Sequence, residues 1–159
     1  MATNKNFSKY KLKNIPSAKG FKFAIIVSEW NNNITNNLYN GVEDTLIHCG
    51  AFKKDIVRID VPGSFELVYG AKLASKQDKY DAIICIGSVI KGETEHFHYV
   101  CNAVSLGIKD LNVSLDTPVI FGVLTDNFEQ QAIDRSGGKL GNKGIESAIT
   151  AIKMIYLKY

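Results

Sequence analysis

The segment Gly87-Ser-Val-Ile-Lys-Gly-Glu-Thr-Glu-His-Phe-His-Tyr-Val100 holds the densest set of residues able to do chemistry. It begins at the end of an apolar, strand-like run and passes into a pattern of helical period. Gly92 lets backbone approach a ligand with no Cβ in the way. Thr94 suits a helix N-cap, and the free amides after Gly92, aided by the helix dipole, would attract an anion. Gly87 and Gly92 have the G-x-x-x-x-G spacing of a phosphate-binding loop. Glu93 and Thr94 follow, so a carboxylate stands where that loop places the lysine that neutralises β- and γ-phosphates. The pattern points to one phosphate group on a monophosphate ligand, with a plain capped loop as the competing reading.

His96 falls in the first helical turn, beside that anion position. An imidazole there would transfer protons near neutral pH, although a lone histidine also serves structure. His98 lies two positions on and points to another face; His48 lies near a helix end. No set of His, Cys, Asp and Glu has metal-ligand spacing, so no metal is expected.

Three further groups belong to the same chemistry. Pro62-Gly-Ser-Phe-Glu-Leu67 places Ser64 and Glu66 just after a strand. Glu66 would accept hydrogen bonds from hydroxyls or amines, or simply complement a helix dipole. Trp30, the only tryptophan, would stack on a flat heterocycle or fill core; both readings stay open. Arg135, Lys139 and Lys143 surround Gly137, Gly138, Gly141 and Gly144, cations on a Gly-rich loop that suit phosphate or solvent. No Ser-His-Asp order, nucleophilic Cys motif or carboxylate pair is present.

These residues need a frame. Phe23–Ser28 is an apolar run of the kind buried on both faces of a sheet. Ile34, Leu38, Val42, Leu46 and Cys49 recur at helical spacing up to Gly50, a plausible stop. Asp55–Val61 is a second strand, ended by Pro62 and Gly63. Phe65, Val68, Ala71 and Leu73 predict a helix to about residue 76. Ala82–Gly87 is a third strand. From about Thr94, the residues Phe97, Val100, Cys101, Val104 and Ile108 mark a helix face. Pro118–Leu124 is a fourth strand, followed by a short helix over Glu129–Arg135, the Gly-rich loop and a last helix with Ala148, Ile149, Ile152, Ile155 and Tyr156 on its apolar face. Such alternation predicts an α/β domain, a parallel sheet with helices on both faces. Ligands of such sheets bind beyond the carboxyl ends of the strands. That rule nominates the loops 29–33, 62–66, 88–96 and 125–128.

Bulk properties narrow the class. A chain of 159 residues with 45% hydrophobic content fits one domain. Six of the 19 basic residues and none of the 16 acids precede Glu29, so residues 1–19 read as a basic N-terminal arm on a slightly acidic domain, 20–159. The arm has no groove-reading motif, and a partner-docking or solvated role is preferred over nucleic acid. Apolar runs are too short to span a membrane, and the N-terminus lacks a signal-peptide core, so the expected location is the cytoplasm. Cys49, Cys85 and Cys101 are odd in number with no C-x-x-C and read as buried thiols. The residues alone thus describe an α/β protein that binds a small, phosphorylated, planar ligand.

Five segments, in order over about residues 20–159, resemble lumazine synthases: Ser28-Glu-Trp-Asn31; Pro62-Gly-Ser-Phe-Glu66; the whole stretch Gly87 to Val100; Phe121-Gly-Val-Leu-Thr125; and Gln131-Ala-Ile-Asp-Arg135 with Lys139-Leu-Gly-Asn-Lys-Gly144. The resemblance implies a flavodoxin-like three-layer sandwich with a four-stranded parallel sheet, the N-terminal arm adding a strand to a neighbouring subunit. It implies no cofactor. It assigns Trp30 and Asn31 to the pyrimidine side of the site, Ser64, Phe65 and Glu66 to a ribityl chain, and Ser88, Val89 and Ile90 to the pyrimidine edge. Glu93 and Thr94 would form a backbone phosphate cradle with Arg135 as its cation, and His96 would transfer protons. Phe121, Arg135 and Lys143 would come from the neighbouring subunit. Trp30 stands where Phe is common, Glu93 where a small residue is frequent and Gly138 where Thr is frequent.

The implied activity is a transferase reaction joining 5-amino-6-(D-ribitylamino)uracil to 3,4-dihydroxy-2-butanone 4-phosphate, in riboflavin biosynthesis. The implied assembly is a homo-pentamer, closed in some members into an icosahedral shell. The connection Arg135 to Gly144 has no insertion relative to the shell-forming pattern, so a shell is expected, with riboflavin synthase as a partner to be considered. An archaeal-type riboflavin synthase and a non-catalytic flavin-binding shell protein are the alternatives.

Overall fold

The computed structural model describes residues 15–77 and 79–158. Most of the basic arm, with its expected added strand, lies outside the described residues. Residues 15–19 lie against the domain: Ala18 is fully buried, and its amide donates to the Cys49 carbonyl at 2.7 Å.

A parallel four-stranded sheet forms the centre, in the order β2-β1-β3-β4, with β1 at Phe23–Ser28, β2 at Ile56–Val61, β3 at Ala82–Ile90 and β4 at Val119–Asp126. All six residues of β1 are buried, as its unbroken apolar run requires of a central strand. The edge strand β2 is buried only at its two ends and partly at Ile59. Helices α1 (Asn32–His48) and α5 (Lys143–Ile155) cover one face. Phe23, Ile25, Val27, Ile84 and Ile86 pack there against Leu38, Val42, Leu46 and Ile152. Helices α2 (Leu67–Gln77) and α3 (His96–Ser114) cover the other, where Ala24, Ile26, Ile83 and Cys85 meet Leu67, Ala71, Val104 and Ile108. Each fully buried Ile or Leu contributes about 1.5–3 kcal/mol. This is the flavodoxin-like three-layer arrangement, and no helix among the described residues is long and apolar enough to cross a membrane.

Several boundaries differ from the sequence reading. Strand β3 runs three residues past Gly87, because its pairing with β4 continues to Ile90↔Asp126; Ser88, Val89 and Ile90 are strand, not loop. Helix α3 begins at His96, and its cap position falls to Glu95, whose side chain makes no capping bond. Glu95 already has helical backbone angles, and the Thr94 hydroxyl one residue earlier accepts the His96 amide at 3.4 Å, a long version of the bond a capping hydroxyl makes. The Gly-rich connection after α4 (Glu129–Arg135) is not a free loop but a hairpin, β5 (Ser136–Gly138) antiparallel to β6 (Gly141–Asn142). Of the thiols, only Cys85 is buried, which pushes its pKa up to about 12; Cys49 and Cys101 are half-buried, not interior as expected.

Candidate active site

The chain leaves β1 for the edge strand β2 and then returns across β1 to place β3 on its other side. This reversal is a topological switch point, where strand-end loops diverge and leave a crevice. A cleft of about 770 Å³ opens there, a usual size for a small-molecule site. Trp30 and Asn31 after β1, residues 62–66 after β2, and Ser88, Val89 and Ile90 at the tip of β3 form its walls; His96 and Val100 of α3 close it. Three of the four nominated loops therefore meet, and nine predicted residues share one cavity. A second hollow of about 670 Å³ lies between α1 and the β5–β6 hairpin; of the candidate cations read from the sequence only Lys139 lines it, beside Gly137, Gly138, Gly141 and His48, and none of the residues assigned by the resemblance does.

Backbone hydrogen bonds knit these loops together. The Glu29 amide donates to the Val61 carbonyl (2.9 Å) and the Trp30 amide to that of Pro62 (3.3 Å). Trp30 is 73% exposed, so it is a rim residue and not core. Gly63 is what brings it close to Glu66: a Cβ there would meet Glu66 Oε2 at 2.9 Å and Trp30 Cδ1 at 3.3 Å. A carboxylate and an indole edge thus share one wall, an acceptor beside an aromatic face.

The hydroxyls of Ser64 and Ser88, both in the cleft lining, are buried without a hydrogen-bond partner among the described residues. A buried unsatisfied polar group costs about 1–3 kcal/mol, so these two hydroxyls burden the fold beside the cleft. His96 is exposed at the mouth, while His98 points elsewhere and approaches Glu95 at 3.9 Å.

Five predicted residues do not line this cleft. Glu93 and Thr94 are exposed between β3 and α3, and Phe121 is partly exposed on the edge strand β4. Arg135 ends α4 and is turned inward: Nη1 donates to the Leu140 carbonyl (2.8 Å) and Nη2 to Glu146 Oε1 (2.9 Å). Lys143 opens α5, its Nζ 3.2 Å from Glu146 Oε2. Glu146, absent from the sequence reading, therefore bridges the two cations assigned to ligand binding. Its i, i+3 spacing from Lys143 was a legible signal; its pairing with Arg135 depends on the hairpin folding back.

Asp126 ends β4 with Oδ2 buried and without a partner among the described residues. Burial raises its pKa, and the Arg135 charge opposes that rise. A carboxyl with a raised folded pKa binds its proton more tightly in the folded state. Stability therefore falls as pH rises from the unfolded value through the folded one, and the penalty is complete above it. Asp126→Asn is expected to melt higher than wild type at pH 7, with the gap closing as pH falls toward 4. A gap independent of pH in melting scans would show that charge is not its cause.

The profile of the 6,7-dimethyl-8-ribityllumazine synthase family matches residues 20–159. The chain belongs to that family. It is 60% identical over 159 residues to the 6,7-dimethyl-8-ribityllumazine synthase of Flavobacterium psychrophilum, covering 99% of this chain and 84% of that protein. It is 55% identical over 160 residues to that of Christiangramia forsetii, covering 99% and 95%. With the protein of the same name from Phocaeicola vulgatus the identity is 52% over 153 residues, covering 96% and 91%. The matched residues 20–159 include every residue that lines the cleft at the tips of β1, β2 and β3.

Proposed function

We propose that the chain condenses 5-amino-6-(D-ribitylamino)uracil with 3,4-dihydroxy-2-butanone 4-phosphate to 6,7-dimethyl-8-ribityllumazine, the penultimate step of riboflavin biosynthesis. The observation that carries this reading is the convergence of Trp30, Glu66, Ser88 and His96 in one cleft of a chain from this family. The amine attacks the ketone and forms an imine with loss of water. Phosphate leaves by elimination, and the ring closes with loss of a second water. The protein supplies proximity and proton transfer through His96. Trp30 stacks on the pyrimidine, with Asn31 beside it. Ser64, Phe65 and Glu66 hold the ribityl chain, and Ser88, Val89 and Ile90 meet the pyrimidine edge. The backbone at Glu93 and Thr94 cradles the phosphate while the exposed Glu93 carboxylate stays in water. Arg135 from a neighbouring subunit faces that phosphate, and Phe121 and Lys143 complete the wall from the same side. The unit is a cytoplasmic pentamer closed into an icosahedral shell, and a riboflavin synthase is the partner that would consume its product.

Supplying both substrates is expected to yield a fluorescent lumazine. Turnover of the lumazine alone would indicate the archaeal-type riboflavin synthase instead, and no turnover of either a binding shell. His96→Ala is expected to slow the paired reaction by about tenfold, below the full range for acid–base catalysis because both substrates are reactive. Product affinity should change little. An unchanged rate at saturating substrates removes His96 from the chemistry.

A further inference from the structure

Asn31 is the one non-glycine residue among those described with a left-handed backbone, φ 56° and ψ 47°. That conformation costs about 1 kcal/mol or more for a residue with a side chain, and Asn bears it better than most. The usual reason for Asn just before a helix is to cap it, yet its side chain makes no capping bond to α1. Instead Nδ2 donates to the Ser88 carbonyl at 3.0 Å, across 57 residues of sequence.

The sheet explains that bond. Pairing of β1 with β3 ends at Val27↔Ile86, whereas β3 continues beside β4 to Ile90. Beyond Ile86 the β1 side of β3 has lost its strand partner, and the Asn31 amide takes the place of a missing backbone N–H. The left-handed turn lets it do so. It reverses the chain between the end of β1 and α1, directs the Asn31 carbonyl to the Ile34 and Thr35 amides (2.9 and 3.0 Å), and leaves the preceding Trp30 on the rim. One residue thus ties the aromatic wall of the cleft to the opposite strand edge.

We propose that Asn31 is a positioning residue that fixes the spacing between the Trp30 indole and the Ser88–Ile90 edge, and so sets affinity for a flat heterocycle seated between them. This rests on the reading of the cleft as the pyrimidine site. Glycine is the informative replacement, because Asn31→Gly keeps the left-handed turn without steric cost and removes the tie; a direct contact of the Asn31 amide with the ligand would be lost as well, but equally with or without Trp30, which the double variant separates. Titration calorimetry with 6,7-dimethyl-8-ribityllumazine would be run on wild type, Asn31→Gly, Trp30→Ala and the double variant. Asn31→Gly is expected to weaken binding about fivefold, the order of one net hydrogen bond. In the Trp30→Ala background the same change is expected to cost nothing further, since the wall it aligns is gone. Trp30, as the sole tryptophan, also reports directly: its emission in unliganded Asn31→Gly should shift from wild type. Equal losses in both backgrounds, or wild-type affinity in Asn31→Gly, overturn the proposal. If Trp30→Ala alone leaves affinity unchanged, the pyrimidine-site reading itself fails.

Discussion

Glu146→Ala is expected to destabilise the fold by about 3 kcal/mol, the lower end for breaking a buried ion pair, and to raise KM for the ketose phosphate. The Glu146 side chain is only 9% exposed, and those of its partners Arg135 and Lys143 are 13% and 33% exposed. Removing the carboxylate leaves both cations without their ion-pair partner, one of them nearly out of water, with Asp126 the remaining acid that feels the Arg135 charge. Arg135 keeps its bond to the Leu140 carbonyl, but a single contact does not fix the direction of the guanidinium. Glu146→Gln retains an acceptor and the side-chain volume, so it should cost less in stability while still slackening Arg135. Denaturant unfolding must be compared at fixed protomer concentration, because assembly shifts apparent stability. A loss below about 1 kcal/mol, the value of an exposed pair, would show that the cluster is solvated. A large stability loss with unaltered KM would leave Glu146 structural only.

The strand–helix alternation was legible because a central parallel strand must be apolar on both faces, as Phe23–Ser28 and Ala82–Ile86 are. Boundaries failed where a residue had a tertiary reason that imitates a local one. Gly87 read as the end of β3; the strand continues through it, and the glycine is there because a Cβ would meet Ser64 Oγ at 2.7 Å and Leu67 Cδ1 at 2.9 Å. Thr94 read as a cap from residue type; the regular helix starts two residues on, at His96, whose amide the Thr94 hydroxyl accepts at 3.4 Å. Likewise Gly137 to Gly144 has the composition of a loop, and its hairpin is set by contacts with α1: Asn142 Nδ2 donates to the Asn37 carbonyl at 2.9 Å. The cleft walls were found through the strand-end rule plus residue chemistry. Glu146 and Asn31's tie to Ser88 were not, since both depend on which loops the sheet order brings together.

Mixing two slow variants is expected to restore activity. Under the shared-site reading, each site pairs His96 from one chain with Arg135 from the next. Arg135 does not line the cleft of its own chain, and its side chain is occupied by Glu146 and Leu140, which fits a role across an interface. The chain also leaves Trp30, Phe65, Tyr99 and Phe128 well exposed, apolar surface that a neighbour would cover. His96→Ala and Arg135→Ala rings should each be slow. Unfolded together in equal amounts and refolded, they form rings in which some interfaces join an intact His96 to an intact Arg135. A head-to-tail ring presents one such junction per site, so random mixing should recover roughly a quarter of wild-type activity at low ketose phosphate concentration. The alternative is a chain whose own Arg135 closes over its own cleft; every site would then carry one lesion, and mixing would recover nothing. Native light scattering reads the same assembly. An active wild-type species no larger than one chain sinks the shared site, whereas one that stops at a single ring sinks only the shell.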